Sequence, residues 1–159
     1  MKIAVGTDHG GFHLKDPLIR LLKTRGHQVR DFGTFSPETC DYPLIGASVA
    51  EAVSHERVHR GVLLCKSGGG MAIVANRFPG VRAVVCQSLS SARHAREHNG
   101  ANVLVLGAEG MDPAQAKAIL SAWLNIPFAA GRHARRIRQI AKIEKNLGLV
   151  LFWLLLYII

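Results

Sequence analysis

Short runs of apolar and β-branched residues alternate with longer amphipathic segments along the chain. The runs lie at residues 3–5, 28–31, 62–64, 83–85 and 103–106. Several of them are apolar at every position, which is typical of strands buried on both faces of a parallel sheet. We therefore predict five parallel strands at these places.

The segments between the runs carry helical patterns. Helices are predicted at residues 12–24, 43–54, 71–76, 88–97 and 113–124, and a long basic helical segment follows Gly131. Gly26 is placed to end the first helix, and Asp112 with Pro113 forms an N-cap and first turn for a later one. This alternation predicts an α/β protein: a Rossmann-like, three-layer αβα sandwich with a five-stranded parallel sheet and a long C-terminal helix.

The length of 159 residues is enough for one domain with a substantial core. No linker or internal repeat divides the chain, and residues 1–146 are assigned to this domain. Ligands of doubly wound sheets bind beyond the carboxyl ends of the strands. Candidate chemistry is therefore expected in the loops that follow the strands.

The charge balance favours an anionic partner. Lys and Arg number 20 against 11 Asp and Glu, which gives a formal net charge of +9. Nucleic acids, membrane surfaces and phosphorylated metabolites all fit this charge. Only two Trp and two Tyr are available to stack on bases, so nucleic acid is not the expected partner.

The cysteines indicate a reducing compartment. Cys40, Cys65 and Cys86 show no C-x-x-C spacing, and three thiols cannot form a closed disulfide set. The first residues enter a predicted strand directly, without the features of a signal peptide. We therefore expect a cytoplasmic protein with reduced thiols.

Residues 147–159 form an apolar C-terminal extension without a single charge. Its 13 residues are fewer than the roughly 20 that a helix needs to span a bilayer, so a membrane span is not expected. Four interpretations remain open: a helix covered by a partner, a product of a shifted reading frame, an apolar end without fixed structure, and a membrane contact.

The stretch 61–76 carries the strongest chemical signal. A predicted strand ends on Cys65, and a polar loop leads from it into the next helix; the loop comprises Lys66, Ser67, Gly68, Gly69 and Gly70. Small residues let backbone N–H groups approach an anion closely, and a helix start adds its positive dipole end. A neighbouring cation and a helix N-terminus both lower the pKa of a thiol, so Cys65 is predicted to be reactive. A buried structural cysteine is the alternative.

Further candidates lie after the first strand and around the last two helices. Asp8 and His9 follow the first strand directly, although Asp8 is also placed to cap a helix. His98 is a candidate proton shuttle, because histidine titrates near neutral pH. Arg132 and Arg136 are four residues apart, so they share one helix face and can grip a phosphate.

Metal and nucleotide motifs are weak or missing. His94 and His98 have the i,i+4 spacing of two metal ligands, but a third ligand at a suitable spacing is missing, so no metal is predicted. The sequence contains neither a dinucleotide fingerprint nor a nucleotide P-loop.

Taken together, the motifs resemble the ribose-5-phosphate isomerase B family, which includes the galactose-6-phosphate isomerase subunits. The resemblance runs from residue 1 to about residue 146, and it is specific because several short motifs recur in order. They are G-T-D-H-G-G at 6–11, D-Y-P at 41–43, C-K-S-G-G-G-M-A-I-V-A-N-R at 65–77, G-V-R-A-V-V-C at 80–86, H-N-G-A-N-V-L at 98–104 and G-R-H-A-R-R at 131–136.

The resemblance implies a cofactor-free aldose–ketose isomerase that interconverts ribose 5-phosphate and ribulose 5-phosphate through an enediolate. It also implies a site between the two subunits of a homodimer, with a tetramer as a further assembly. Cys65 matches the family's base, His98 the residue that helps open the furanose ring, and Ser67 a position that is usually threonine. The enediolate hole matches Gly68, Gly69 and Gly70. The sugar and phosphate contacts match Asp8, His9, Tyr42, Asn99, Arg132 and Arg136.

Two charged residues depart from the family pattern. Lys66 stands where glycine is common, and Glu109 stands where many members carry a phosphate-binding arginine. Glu109 would repel phosphate or pair with Arg132 or Arg136, which leaves the substrate open. An isomerase of galactose 6-phosphate or allose 6-phosphate is the chemical alternative. A non-catalytic protein that binds phosphate ligands or nucleic acid is the alternative of another class.

Overall fold

One five-stranded parallel sheet forms the centre of the molecule. The computed structural model describes residues 1–158, with side chains through residue 148. The strands are β1 (Lys2–Thr7), β2 (Gln28–Asp31), β3 (Arg60–Cys65), β4 (Ala83–Val85) and β5 (Val103–Gly107), in the order β2-β1-β3-β5-β4. All five predicted strands are confirmed, because each apolar run lies within one of them.

Helices connect the strands as the sequence pattern predicts. They are α1 (Phe12–Thr24), α2 (Tyr42–Ser54), α3 (Gly69–Ala75), α4 (Leu89–Glu97), α5 (Pro113–Asn125) and α6 (Arg132–Ile158), and a short 3-10 helix spans His9–Gly11. The predicted start of α3 at residue 71 was wrong. Gly68 adopts a left-handed φ of 81° and ends the loop, so Gly69 and Gly70 already belong to the first turn of the helix.

The helices form layers on both faces of the sheet. Residues of α1, α4 and α5 share one buried cluster, and residues of α2 and α3 share the other. Side chains of β3 alternate between them: Leu64 enters the first cluster, whereas Leu63 and Cys65 enter the second. The predicted three-layer αβα sandwich is confirmed, and Cys65 faces the layer of α2 and α3.

The strand order creates a crevice at the carboxyl ends of β1 and β3. From β1 the chain continues outward to β2 on one side, whereas β3 pairs with β1 on the other side. Such a reversal of strand order is where open α/β sheets bind ligands. Asp8 follows β1 and Cys65 ends β3, so both lie at this point.

The last helix runs on into the apolar extension. α6 includes residues on both sides of the predicted boundary at 146, and side chains from residue 149 onward lie outside the described part. No helix among the residues that the structure describes is long and apolar enough to cross a membrane.

Candidate active site

Three loops meet tightly at the carboxyl edge of the sheet. A Cβ added to Gly10 would lie 2.9 Å from the backbone nitrogen of Lys66, and one added to Gly107 would lie 2.8 Å from the carbonyl oxygen of Ser67. Contacts this close exclude any side chain at the two glycines. The loops after β1 and β5 therefore clamp the loop that carries Cys65.

The Cys65 thiol lies against a buried carboxylate. Cys65 is 7% exposed and Asp8 is 4% exposed. The Asp8 side chain and the backbone N–H groups of Gly68 and Ser67 lie close enough to the thiol to act on its pKa. Asp8 in addition accepts a hydrogen bond of 3.2 Å from the N–H of Gly11, which caps the short helix. Asp8 therefore caps the short helix, and its side chain also acts on the thiol.

This surrounding makes the thiol less acidic, contrary to the sequence prediction. Burial raises the pKa of Cys65, and the hydrogen bond with Asp8 raises it further. The N–H groups of Gly68 and Ser67 act in the predicted direction but do not outweigh burial. The prediction of a lowered pKa was wrong because it counted the nearby positive groups and omitted burial and the carboxylate.

The Lys66 ammonium is paired with a carboxylate rather than with the thiol. It lies 3.4 Å from a carboxylate oxygen of Glu109, and the two side chains are 72% and 68% exposed. The backbone supports this pairing, because the N–H of Glu109 donates to the carbonyl of Lys66 over 3.0 Å. Within the chain, Glu109 thus pairs with Lys66 rather than with Arg132 or Arg136, and the two charges cancel locally.

The glycines after Ser67 present backbone donors beneath a tyrosine. The first N–H groups of an α-helix have no partner within the helix, so those of Gly69 and Gly70 are available at the start of α3. A Cβ on Gly70 would lie 2.6 Å from the ring of Tyr42, so this ring rests directly on the helix start. Tyr42 is 37% exposed, which leaves its hydroxyl accessible to a ligand.

His9 is oriented by the backbone of another loop. The N–H of Cys40 donates to Nδ1 of the His9 ring over 3.3 Å. Because Nδ1 accepts, the neutral ring carries its proton on Nε2. His9 is exposed, and it therefore offers one N–H donor to a ligand near Asp8.

A second group of candidates lines a cavity of about 560 Å³ elsewhere on the molecule. His98 and Asn99, at the end of α4, and Arg136, on α6, lie in its wall. Arg132 is exposed in the first turn of α6, and its Nε donates to Nε2 of His133 over 3.5 Å. Cys65 does not line this cavity.

Comparison with known proteins identifies the family. A sequence model described as Ribose/Galactose Isomerase matches residues 3–140. The chain belongs to the ribose/galactose isomerase family. Ribose-5-phosphate isomerase B of Escherichia coli is 44% identical over 145 residues, which cover 91% of this chain and 97% of that protein. D-erythrulose-4-phosphate isomerase of Pectobacterium atrosepticum is 37% identical over 146 residues, with coverage of 91% and 95%.

Solved structures of the isomerase family share the fold. The structure of ribose-5-phosphate isomerase B from Clostridium thermocellum superposes with a TM-score of 0.90 at 46% sequence identity, and the match covers 92% of this chain and 99% of that one. The resemblance and the fold class inferred from the sequence are therefore confirmed.

The isomerase-family candidates fall into two groups within one chain. Asp8, His9, Tyr42, Cys65, Ser67 and the three glycines gather at the edge formed by β1 and β3. His98, Asn99 and Arg136 share the cavity beside α6, and Arg132 begins that helix. The two groups lie apart within the single chain, and the site between two subunits that the resemblance implies stays a prediction.

Sequence reasoning missed His133. Its ring stacks on His98 with centroids 4.5 Å apart and planes 6° apart, and it lines the same cavity. The spacing of His94 and His98 was noted only as a metal signal. The described residues contain no group of three or more His, Cys, Asp or Glu side chains that could hold a metal ion. The only sequence signal for His133 was its place between the two paired arginines.

Proposed function

We propose that this isomerase-family member interconverts ribose 5-phosphate and ribulose 5-phosphate, with Cys65 as the base and without a cofactor. The observation that carries the proposal is the Cys65 thiol, held between the buried Asp8 carboxylate and backbone N–H groups at the β1–β3 crevice. The near full-length match to ribose-5-phosphate isomerase B of Escherichia coli supports the substrate class.

The chemistry moves one proton between neighbouring carbons. Asp8 accepts the thiol proton, and the resulting thiolate removes the proton from C2 of the open-chain aldose. The electron pair moves onto the C1 carbonyl oxygen and forms an enediolate. The hydroxyl proton at O2 moves to O1, which leaves the negative charge on O2. The C2 carbonyl then forms, and C1 takes the proton back from the sulfur. Backbone N–H groups at Gly69 and Gly70 stabilise the developing negative oxygen, a type of interaction worth several kcal/mol in preorganised sites. Ser67, exposed in the same loop, contacts the reacting end of the sugar.

The phosphate is bound far from the reacting carbons. Arg132 and Arg136 supply two guanidinium groups on one helix face, and His9 with Asn99 adds polar contacts. Binding energy from this remote group helps to hold the reacting carbons against Cys65. His98 opens the furanose ring before proton transfer.

The site is completed by a second copy of the chain. The thiol group and the arginine group lie in separate regions of one molecule, so we infer that each site combines the two groups from different subunits of a homodimer. Large apolar side chains are exposed on the face that contains the thiol group: Leu44 is 74% exposed and Ile73 is 62% exposed. Leu44 on α2 and Ile73 on α3 belong to the helix layer that Cys65 faces, and this layer is therefore the proposed contact surface. A tetramer would pair two such dimers.

The decisive test measures isomerisation in a coupled assay with purified variants. Cys65→Ala should lower kcat by about 10²- to 10⁴-fold, the usual contribution of a positioned general base. Cys40→Ala is the matched control and should keep wild-type activity, because Cys40 contributes only its backbone N–H to His9. Full activity in Cys65→Ala, or no turnover of any aldose phosphate by the wild type, would overturn the proposal.

A sugar phosphate of another chain length is the second candidate substrate, because Lys66 pairs with Glu109. Because Lys66 and Glu109 neutralise each other, this pair supplies no net charge that would fix the phosphate position or the sugar length. The same assay should therefore include galactose 6-phosphate, allose 6-phosphate and erythrulose 4-phosphate. The highest kcat/KM identifies the substrate.

We assign the catalytic domain to residues 1–146 and the protein to the cytoplasm. The family match ends at residue 140, and all three cysteines are free thiols.

The rival class, a nucleic-acid binding protein, predicts affinity that falls steeply with salt and no isomerisation. The apolar extension enters none of the proposed steps.

A further inference from the structure

Three imidazole rings form a continuous stack across two helices. His98 lies between His94 and His133, with ring centroids 5.0 Å and 4.5 Å away and interplanar angles of 13° and 6°. His94 and His98 belong to the end of α4, whereas His133 belongs to the first turn of α6. The stack therefore joins elements that are more than thirty residues apart in the chain.

Two contacts fix α6 in the position that makes this stack. The N–H of Ala129, just before α6, donates to the carbonyl of Glu97 at the end of α4 over 2.9 Å. Gly100 has a φ of 55°, and a Cβ placed there would lie 3.2 Å from the side chain of Ile137 on α6. The approach of the two helices is thus set by a backbone hydrogen bond and by the fit of the Ile137 side chain against Gly100, and His133 lies over His98 as a consequence.

A ring at a helix end needs such support to keep one orientation. The second side-chain torsion of histidine is broad, so an unsupported imidazole samples many ring planes. A flat ring on each face of His98 hinders rotation of its imidazole about the Cβ–Cγ bond. His98 therefore keeps one ring plane at the cavity that it lines.

The charges around the stack favour a neutral His133. Its partial burial lowers the pKa of His133, and the positive charges of His98, Arg132 and Arg136 act in the same direction, whereas Glu97 opposes them. Arg132 also donates to Nε2 of His133, a bond that requires this nitrogen to be unprotonated. Two stacked imidazolium rings would repel, so a neutral His133 avoids that repulsion within the stack.

We propose that His133 is a positioning residue for ring opening, which holds the His98 imidazole in the plane that lets it exchange protons with the cyclic sugar. In this step the bond between C1 and the ring oxygen breaks. Its electron pair goes to the ring oxygen, which takes up a proton, and the C1 hydroxyl loses one. The inference deepens the proposed function and rests on it, since His98 handles these protons only if the substrate is a cyclic sugar.

The test separates ring opening from the proton transfer that follows. Ribose 5-phosphate closes into a furanose through its C4 hydroxyl. Ribulose 5-phosphate stays open, because the C5 oxygen that would close its ring carries the phosphate. Turnover of the aldose thus needs ring opening, whereas removal of the C1 proton from the ketose does not. The rate of proton removal from ribulose 5-phosphate is measured by NMR in D₂O. It is the sum of the deuterium incorporated at C1 and the aldose formed.

His133→Ala should lower kcat with ribose 5-phosphate about 10-fold, within the losses that follow from misplacing a catalytic group. Deprotonation of ribulose 5-phosphate should stay at the wild-type rate. His133→Phe restores a flat ring without a titrating nitrogen and should recover most of the aldose activity. Arg135→Ala is the matched control, since Arg135 is exposed on the same helix and lies outside the cavity wall.

Equal losses with both sugars in His133→Ala would indicate a role in folding or phosphate binding and would overturn the inference. Wild-type rates with ribose 5-phosphate in that variant would overturn it as well. If His133→Ala does not fold, a loss of aldose turnover alone in His133→Phe would overturn the inference equally, because that variant retains the stacked ring. A wild-type protein inactive on both sugars would instead refute the proposed isomerase function.

Discussion

At the scale of single residues, the thiol shows what a sequence can and cannot reveal. The place of Cys65 at a strand end before three glycines was readable from the pattern, and the structure agrees. The pKa of its thiol could not be predicted from the sequence, because Asp8 is 57 positions away. Asp8 meets the thiol only through the pairing of β1 with β3. Burial and a hydrogen-bonded carboxylate both favour the protonated thiol.

The raised pKa of Cys65 has a definite sign in pH experiments. A thiol with a raised pKa keeps its proton at neutral pH, so its thiolate appears only at a pH above that of an ordinary cysteine. Alkylation of Cys65 by iodoacetamide should therefore be slow near neutral pH and accelerate into the alkaline range. The rate is followed by mass spectrometry of the Cys65 peptide, in the absence of substrate.

Asp8→Asn supplies the comparison for this pH profile. Removal of the carboxylate charge should move the alkylation midpoint of Cys65 to lower pH, since Asp8 contributes to the raised pKa. The reference is free cysteine alkylated under the same conditions, which reports the pH dependence of an ordinary thiol. A wild-type midpoint below that of an ordinary cysteine would contradict the structural account.

At the scale of elements, hydrophobic periodicity predicted every strand and the centre of every α-helix that the structure describes. The start of α3 was missed because a positive φ at Gly68 allows the helix to begin inside the glycine run. The close contacts of Gly10 and Gly107 with neighbouring loops could not be predicted from the sequence either, because they depend on strand pairing. Local patterns therefore identify elements, whereas the geometry between elements requires the fold.

One such contact is made by Lys15 on α1, which is 4% exposed. Its ammonium lies 3.0 Å from the Asp31 carboxylate at the end of β2 and donates to the Thr34 carbonyl over 2.6 Å. Lys15→Met would remove the charge while keeping the apolar stem, leaving both acceptors without this donor. We expect the free energy of unfolding to fall by about 1–3 kcal/mol.

Urea denaturation of Lys15→Met and wild type measures this difference. Lys23→Met is the control, because Lys23 lies exposed in the last turn of the same helix, and its stability should match the wild type. A loss that is equal in the two variants would show that the change acts through α1 itself and not through the buried ion pair.

At the scale of the whole molecule, the main feature is that the candidate site residues lie in two separate groups. No local sequence signal distinguishes residues that meet within a chain from residues that meet between chains. Cys65 and Arg136 both match the motif pattern of one family, yet only His98, Asn99 and Arg136 share a cavity within the chain. Local patterns therefore did not indicate how the two groups assemble, and only the resemblance to the family predicted a site between two subunits.

Mixing two inactive variants tests this assembly directly. Co-expressed Cys65→Ala and Arg136→Ala chains should recover about a quarter of wild-type activity, because half of the dimers are mixed and each mixed dimer has one intact site of two. Cys65→Ala combined with Asp8→Asn should recover none, since both changes affect the same group. Activity in a chain that sedimentation shows to be monomeric would refute a shared site.

The ion pair between Lys66 and Glu109 constrains how this sequence can change over time. Exposed pairs of this kind add little to stability, so folding alone would tolerate the loss of either partner. Losing one partner nevertheless leaves an uncompensated charge beside the crevice, where an anion must enter. Descendants of this sequence are expected to keep both residues or to exchange both together, and an arginine at position 109 would then accompany an uncharged residue at position 66.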